Sequence, residues 1–275
     1  MNAILTVANK EFHDGLRNRW VMSISLIFAL LATGLAYFGA AASGQAGFTN
    51  LSTTLVSLAS LAVFVIPLIA LMLAYDGVVG EDESGTLLLL MTYPLSRWQL
   101  VLGKMMGHWM IMAFSTIIGF GLSAIIMGSF SENTTWNELL MPYAFFITFA
   151  ILLGWIFIAI ATMISAAVVE KSKAAGLALI VWFIFIFMFD LSLLGLLVGT
   201  EGNVNAELFP YLLLLNPTDV FRLIIISFFA EQQLTGLMAV AQHAQFSMFS
   251  LIFSMLVWFI APVLGAISLF NKRKL

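Results

Sequence analysis

The sequence predicts an all-α polytopic membrane protein with six transmembrane helices, and three observations predict it. The first is composition: 62% of the 275 residues are hydrophobic and 9% charged, whereas soluble domains carry about 25% charged residues. Mean hydropathy is +1.06, and a chain this apolar would leave much greasy surface exposed in water. The second is pattern. The apolar runs are long and continuous, not roughly ten-residue segments of alternating hydrophobicity, which selects helices over a barrel. The third is charge placement. Lys10, Arg17 and Arg19 precede the first span, Arg97 and Lys104 follow the second, Lys171 and Lys173 the fourth, and Lys272, Arg273 and Lys274 the sixth. Those ten of eleven basic residues share one side of a six-pass arrangement, and Arg222 alone falls on the other. By the positive-inside rule both termini face the cytoplasm. Five or seven spans would scatter the charges.

Taken in order, residues 1–19 read as an amphipathic helix, with Leu5, Ala8, Phe12 and Leu16 on one side and Lys10, His13, Asp14 and Arg17 on the other. Such a helix lies in the membrane interface. The first span runs from about Trp20 to Ala42. It exceeds the roughly 7–15-residue apolar core of a signal peptide and is read as retained, although the small residues after it mimic a cleavage site. A Gly/Ser/Asn loop at 43–50 leads to the second span, about Leu55 to Val79, where Pro67 predicts a kink. The third span is about Gln99 to Met127, and a polar loop occupies 128–138. The fourth is about Leu139 to Val169, followed by the tight turn Glu170–Lys173. The fifth is about Ala174 to Val198 and the sixth about Phe246 to Phe270. The whole chain, 1–275, reads as a single transmembrane domain. Within it lie the interfacial helix at 1–19, a loop at 80–98 and an outer-face segment at 199–245.

The loop holds the densest charge, Glu81, Asp82 and Glu83, followed by an apolar run from Leu87 to Met91. That run is far below the roughly 20 residues of a spanning helix, and Pro94 stops it. Ser96 and Gln99 fit a capping box for the next helix, with Leu95 and Leu100 placed as a hydrophobic staple. An acidic rim, an apolar patch and a fixed turn predict a docking element. Gly85 is expected at positive φ where the short helix begins.

On the outer side, Leu208 to Leu215 is apolar but short and contains Pro210. Asn216, Pro217, Thr218 and Asp219 then spell a helix start: Asn at the N-cap, Pro at N1, an acid near the positive end of the dipole. Val220 to Ala230 follows, apolar apart from Arg222 and Ser227. Two re-entrant or interfacial segments are expected, as a lid, a gate or a partner-docking surface.

Several chemistries are excluded. The chain has no cysteine, so no disulfide, thiolate metal site or Cys nucleophile. It has no HExxH and no nucleophile elbow. Gly80 and Gly85 have Walker-like spacing, but Thr86 stands where the phosphate-binding Lys belongs. Met106, Met110, His108 and Met112 are weak candidates for Cu(I), because their two i,i+4 pairs point in different directions. His243 reads as a lone surface histidine. Asp76, at the end of the second span, and Asp190, inside the fifth, are costly acids that serve as an interface anchor, a satisfied polar contact or a pathway residue.

These features resemble the membrane subunit of an ABC-2-type ABC transporter. The resemblance covers the whole chain and rests on the amphipathic N-terminus, the six spans, GEDESGTLLLLMTYPLSRWQLVLGK at 80–104 and LNPTDVFRL at 215–223. It implies two copies of this chain paired in the bilayer above two copies of a separate cytosolic ATPase, which alone binds ATP and Mg²⁺. It implies a coupling helix at Glu81–Pro94 seated in an ATPase groove. Glu81, Asp82, Glu83, Gly85, Thr86, Leu87, Leu88, Leu89, Tyr93, Pro94 and Arg97 would serve it, with Glu170 and Lys171 as a second contact. The closer resemblance implies a bacterial inner-membrane location. It also implies a periplasmic partner on the outer segments, with Asn216, Pro217, Asp219 and Arg222 as partner or gate residues. No nucleic-acid partner is expected. The cargo stays open between a sulfur species, copper and mechanical work alone. The rival class is an ATP-independent secondary transporter or channel, which predicts paired ionisable groups near the bilayer midplane.

Overall fold

The computed structural model describes residues 3–17, 19–38, 51–130, 135–200, 209–229 and 246–273. Its helices are α1 (Ala3–Arg17), α2 (Trp20–Phe38), α3 (Leu51–Ala74), α4 (Val79–Glu83), α5 (Thr86–Leu90), α6 (Arg97–Phe130), α7 (Trp136–Ala167), α8 (Lys171–Phe183), α9 (Phe189–Gly199), α10 (Pro217–Phe229) and α11 (Met248–Lys272). A π-helical turn, Ile184–Met188, joins α8 to α9, and a 3₁₀ segment, Phe209–Leu215, precedes α10. Six stretches among the described residues are long and apolar enough to cross a membrane: α2, α3 with α4, α6, α7, α8 through α9, and α11. The chain is an all-α multi-pass membrane protein, and the described ends of the spans fall within a few residues of their expected positions. The loop at 43–50, Asn133, residues 201–208, residues 230–245 with His243, and Lys274 lie outside the described residues.

Helix α6 is the spine, with α1 and α2 along one side and α7 along another; α3 and α11 flank α7. Lipid tails are as apolar as leucine, so close approach of backbones through small residues holds such helices together. Glycines on α6 supply it. A Cβ at Gly103 would stand 2.7 Å from Val7, one at Gly107 2.4 Å from Glu11, and one at Gly119 2.4 Å from Phe28. Phe28 stacks on Phe120 at 4.9 Å, and Phe120 meets Phe146 edge-on at 5.0 Å. Trp109 and Trp155 cross-link α6 and α7 reciprocally: each indole N–H donates to the other's carbonyl, at 3.2 and 3.0 Å. That satisfies polar groups where lipid offers no partner.

Helix α1 forms as expected, but its burial differs from its hydrophobic pattern. Ala8 and Gly15 are buried, while Leu5 and Leu16 face outward. The close glycine contacts with α6 favour the small residues on the inner face, which leaves the leucines for the membrane interface.

Candidate functional site

At the Lys/Arg-rich end of the bundle, the segment between the second and third spans is an elbow of two one-turn helices. Gly85 separates them at φ +72°, in the left-handed region, so the expected positive φ is present. Ser84 and Thr86 brace the elbow by donating their hydroxyls to the Glu81 carbonyl, each at 3.2 Å. Beyond it, Gln99 Oε1 accepts from the Ser96 N–H at 3.0 Å, the reach-back arm of the capping box.

Each of the three acids has a partner within the chain. Lys104, with 3% of its side chain exposed, donates to Glu81 at 2.6 Å and to Glu11 of α1 at 3.0 Å. Asp82 pairs with Arg273 at the end of α11. Glu83 accepts the Lys171 backbone N–H at 2.7 Å, capping α8. Glu83 stays exposed, while Glu81 and Asp82 are half-buried against partners that sequence does not show. Glu11 is partly buried. Burial pushes its carboxyl up, the charges of Lys104 and His108 pull it down, and the net is below the usual carboxylate range.

More ties hold the elbow. Ser165 Oγ of α7 accepts the N–H groups of Val78 and Val79 at 3.1 and 3.0 Å, capping α4. Arg273 donates to the carbonyls of Ser165 and Ala166, and Arg97 to those of Asn271 and Arg273, so cations satisfy the orphan carbonyls at two helix ends. Lys171 pairs with Asp76 at 2.7 Å, and Glu170 with Lys173. Glu11, Lys104, Ser165 and Arg273 were missed as site residues. Only Lys104 and Arg273 carried any signal, as topology charges.

The apolar run divides. Leu87 is fully buried against Val78, Leu100, Met105 and Phe270, while Leu90 and Met91 are half-buried beside it. Leu88, Leu89 and Tyr93 are 58%, 62% and 60% exposed, and Pro94 is exposed with them. The outward apolar face is therefore smaller than the run, because a one-turn helix can bury only one side.

Packed against the π-turn in the middle of the fifth span and against α11, the expected helix start is present. Asn216 Oδ1 accepts from the Thr218 N–H at 3.0 Å, and Asn216 Nδ2 donates to the Phe185 carbonyl, in the π-turn, at 2.8 Å. The 3₁₀ segment and α10 meet at 114°, and Trp258 and Ser254 of α11 donate to the Leu214 carbonyl at the corner. Arg222 lies 3.4 Å from Asp219 and 3.6 Å from Asp190. The structure thus joins Asp190 to the outer residues in one ionic cluster. Asn216, Pro217 and Asp219 are buried, so they shape this corner from within.

The four weak metal candidates do not converge. Met110 is exposed, Met112 is buried near Gly154, Met106 is half-buried, and His108 lines a polar cavity. Among the described residues no three His, Cys, Asp or Glu side chains are grouped to hold a metal ion.

A six-span bundle with a braced polar elbow at one end and a sharply bent helix pair packed against its fifth and sixth spans has the architecture of a transporter's membrane subunit. The chain belongs to the ABC-2 family of transporter proteins, whose model matches residues 5–275. It is the permease of an ABC system and not the ATPase. At full length it is 50% identical over 274 residues to the "Probable ABC transporter permease protein NosY" of Stutzerimonas stutzeri, with 99% of each chain covered. It is 48% identical over 273 residues to the protein of the same name from Pseudomonas aeruginosa, again with 99% of each covered.

Proposed function

We propose that this permease transmits ATP hydrolysis by a separate cytosolic ATPase to transport or mechanical work at the periplasmic face, in copper-site maturation of nitrous oxide reductase. The observation that carries the reading is the outward face of Leu88, Leu89 and Tyr93 on an elbow whose own acids are already paired. A loop solvated on all sides has no use for that apolar face, and a groove on a partner does. Two permeases pair in the inner membrane over two NosF-like ATPases, which hold the ATP and Mg²⁺. A NosD-like periplasmic protein rests on the outer segment, where Tyr211 and Leu215 are exposed. The full-length similarity to NosY permeases supports that assignment. Purification from native membranes tests it: an ATPase that co-purifies and turns over ATP in complex is expected. Uptake driven by an ion gradient through the lone chain would instead favour the secondary transporter, the reading that the Asp190–Arg222–Asp219 cluster suggests.

Orientation has its own expected result. The chain lacks cysteine, so single cysteines at Gly85 and Lys171 report accessibility cleanly. Both are shielded from an impermeant label in intact cells and react once the membrane is opened. Labelling at position 85 from outside overturns the placement of the elbow in the cytoplasm.

For the outer corner, Asp219→Ala leaves Arg222 with Asp190 alone and removes one of the two acceptors of the Asn216 Nδ2 group. The expected loss is about 1–3 kcal/mol of stability, with weaker periplasmic-partner binding and unchanged ATPase binding. Partner affinity equal to the parent's shows the corner to be packing alone.

A further inference from the structure

A polar cavity of about 320 Å³ lies behind α4, lined by Glu11 and Asp14 of α1, Gly77 and Glu81, His108 of α6 and Lys171 of α8. Two of its buried polar atoms, His108 Nδ1 and Glu81 Oε2, have no partner among the protein's own atoms. Unpaired buried groups are costly, and a native chain keeps them for a reason. Glu81 uses only Oε1 to hold Lys104, so its second oxygen is free to accept. Gly77 leaves the imidazole room, since a Cβ there would stand 3.2 Å from His108 Cε1. Helix α4 is a single turn between two breaks, the turn at Tyr75–Val78 and Gly85. Its ties run to Ser165, Lys104, Arg273 and the Lys171 N–H, so α4 moves as a unit only when those contacts shift with it.

We propose that this cavity is the space α4 enters when the ATPase drives the elbow toward the membrane, and that His108 Nδ1–H then donates to Glu81 Oε2. His108 is thus a positioning residue for the coupled state: one hydrogen bond, absent in the open form, rewards closure. The proposal rests on the docking of the ATPase to α5 described above.

Cysteines at Asp14 and Gly80 report closure, because both residues line the cavity and neither holds Lys104. In the intact complex with its ATPase, cross-linking between them is expected to run about tenfold faster with ATP trapped than without nucleotide, within the usual range of coupling factors. Equal rates, or slower ones, overturn the proposal. A second measurement does not depend on that pair. His108→Asn keeps an N–H near the position of Nδ1 and retains most permease-stimulated ATP turnover. His108→Leu has no donor and loses about fivefold or more while the ATPase stays bound. Equal turnover in the two variants also overturns it. Failure of the ATPase to bind the parent chain would sink the docking reading itself. A bound ATPase above a cavity that never closes sinks only this one.

Discussion

Leu88→Asp and Leu89→Asp each release the ATPase from the purified complex, and Leu87→Ala does not. The difference follows from which way each leucine faces. Leu88 and Leu89 point away from the chain, whereas Leu87 is fully buried beneath them. Burying a leucine side chain is worth roughly 1.5–3 kcal/mol, and an aspartate facing an apolar groove adds the cost of an unpartnered charge. A loss of about 3 kcal/mol corresponds to roughly a hundredfold in Kd. Leu87→Ala instead opens a cavity inside the chain and costs about 2–5 kcal/mol of folding stability. It lowers Tm while the folded fraction keeps its ATPase. Glu81→Gln and Glu83→Gln act on the permease, not on docking, because their carboxylates serve Lys104 and the Lys171 N–H. Their effects are mild, and that of Glu81→Gln changes little with salt, since its partly buried pair with Lys104 is poorly screened. ATPase retained per permease is the measurement, at low and high salt. If both aspartate variants keep it bound and coupled, the elbow is an ordinary loop.

The spans were legible because each is a single long apolar run, and the sign of the flanking charges fixed their number. The outer helix start was legible too, since Asn216, Pro217 and Asp219 act through local capping rules that operate within four residues. What sequence could not show was pairing at a distance. Glu81 and Lys104 are 23 positions apart, Asp82 and Arg273 are 191 apart, and no periodicity links them. Ser165 sits in an apolar run and gives no sign that it caps α4. The inner face of α1, with Ala8 and Gly15, has a related origin. A hydrophobic pattern ranks residues by their affinity for apolar surroundings, but Gly103 and Gly107 select a partner face by size.

Lys104→Met costs about 3–5 kcal/mol of stability, the cost of breaking a buried pair. It removes the buried cation between Glu11 and Glu81, at 14% and 19% side-chain exposure, and leaves only the exposed Lys10, 3.3 Å from Glu11. The contrast is with removing either acid, which leaves Lys104 its other partner. A triple variant, Glu11→Gln with Glu81→Gln and Lys104→Met, recovers most of the loss, because the stranded charges are gone. The pH dependence has a definite sign. In the parent, Glu11 titrates below the usual carboxylate range. Its contribution is complete above that range and is lost as pH falls through the depressed value. In Lys104→Met the two acids repel when ionised, so protonation relieves the variant while it weakens the parent. The Tm gap between them is therefore widest near neutral pH and narrows on acidification. A gap independent of pH, or a triple variant no more stable than Lys104→Met alone, shows that Lys104 holds the elbow by packing and not by charge.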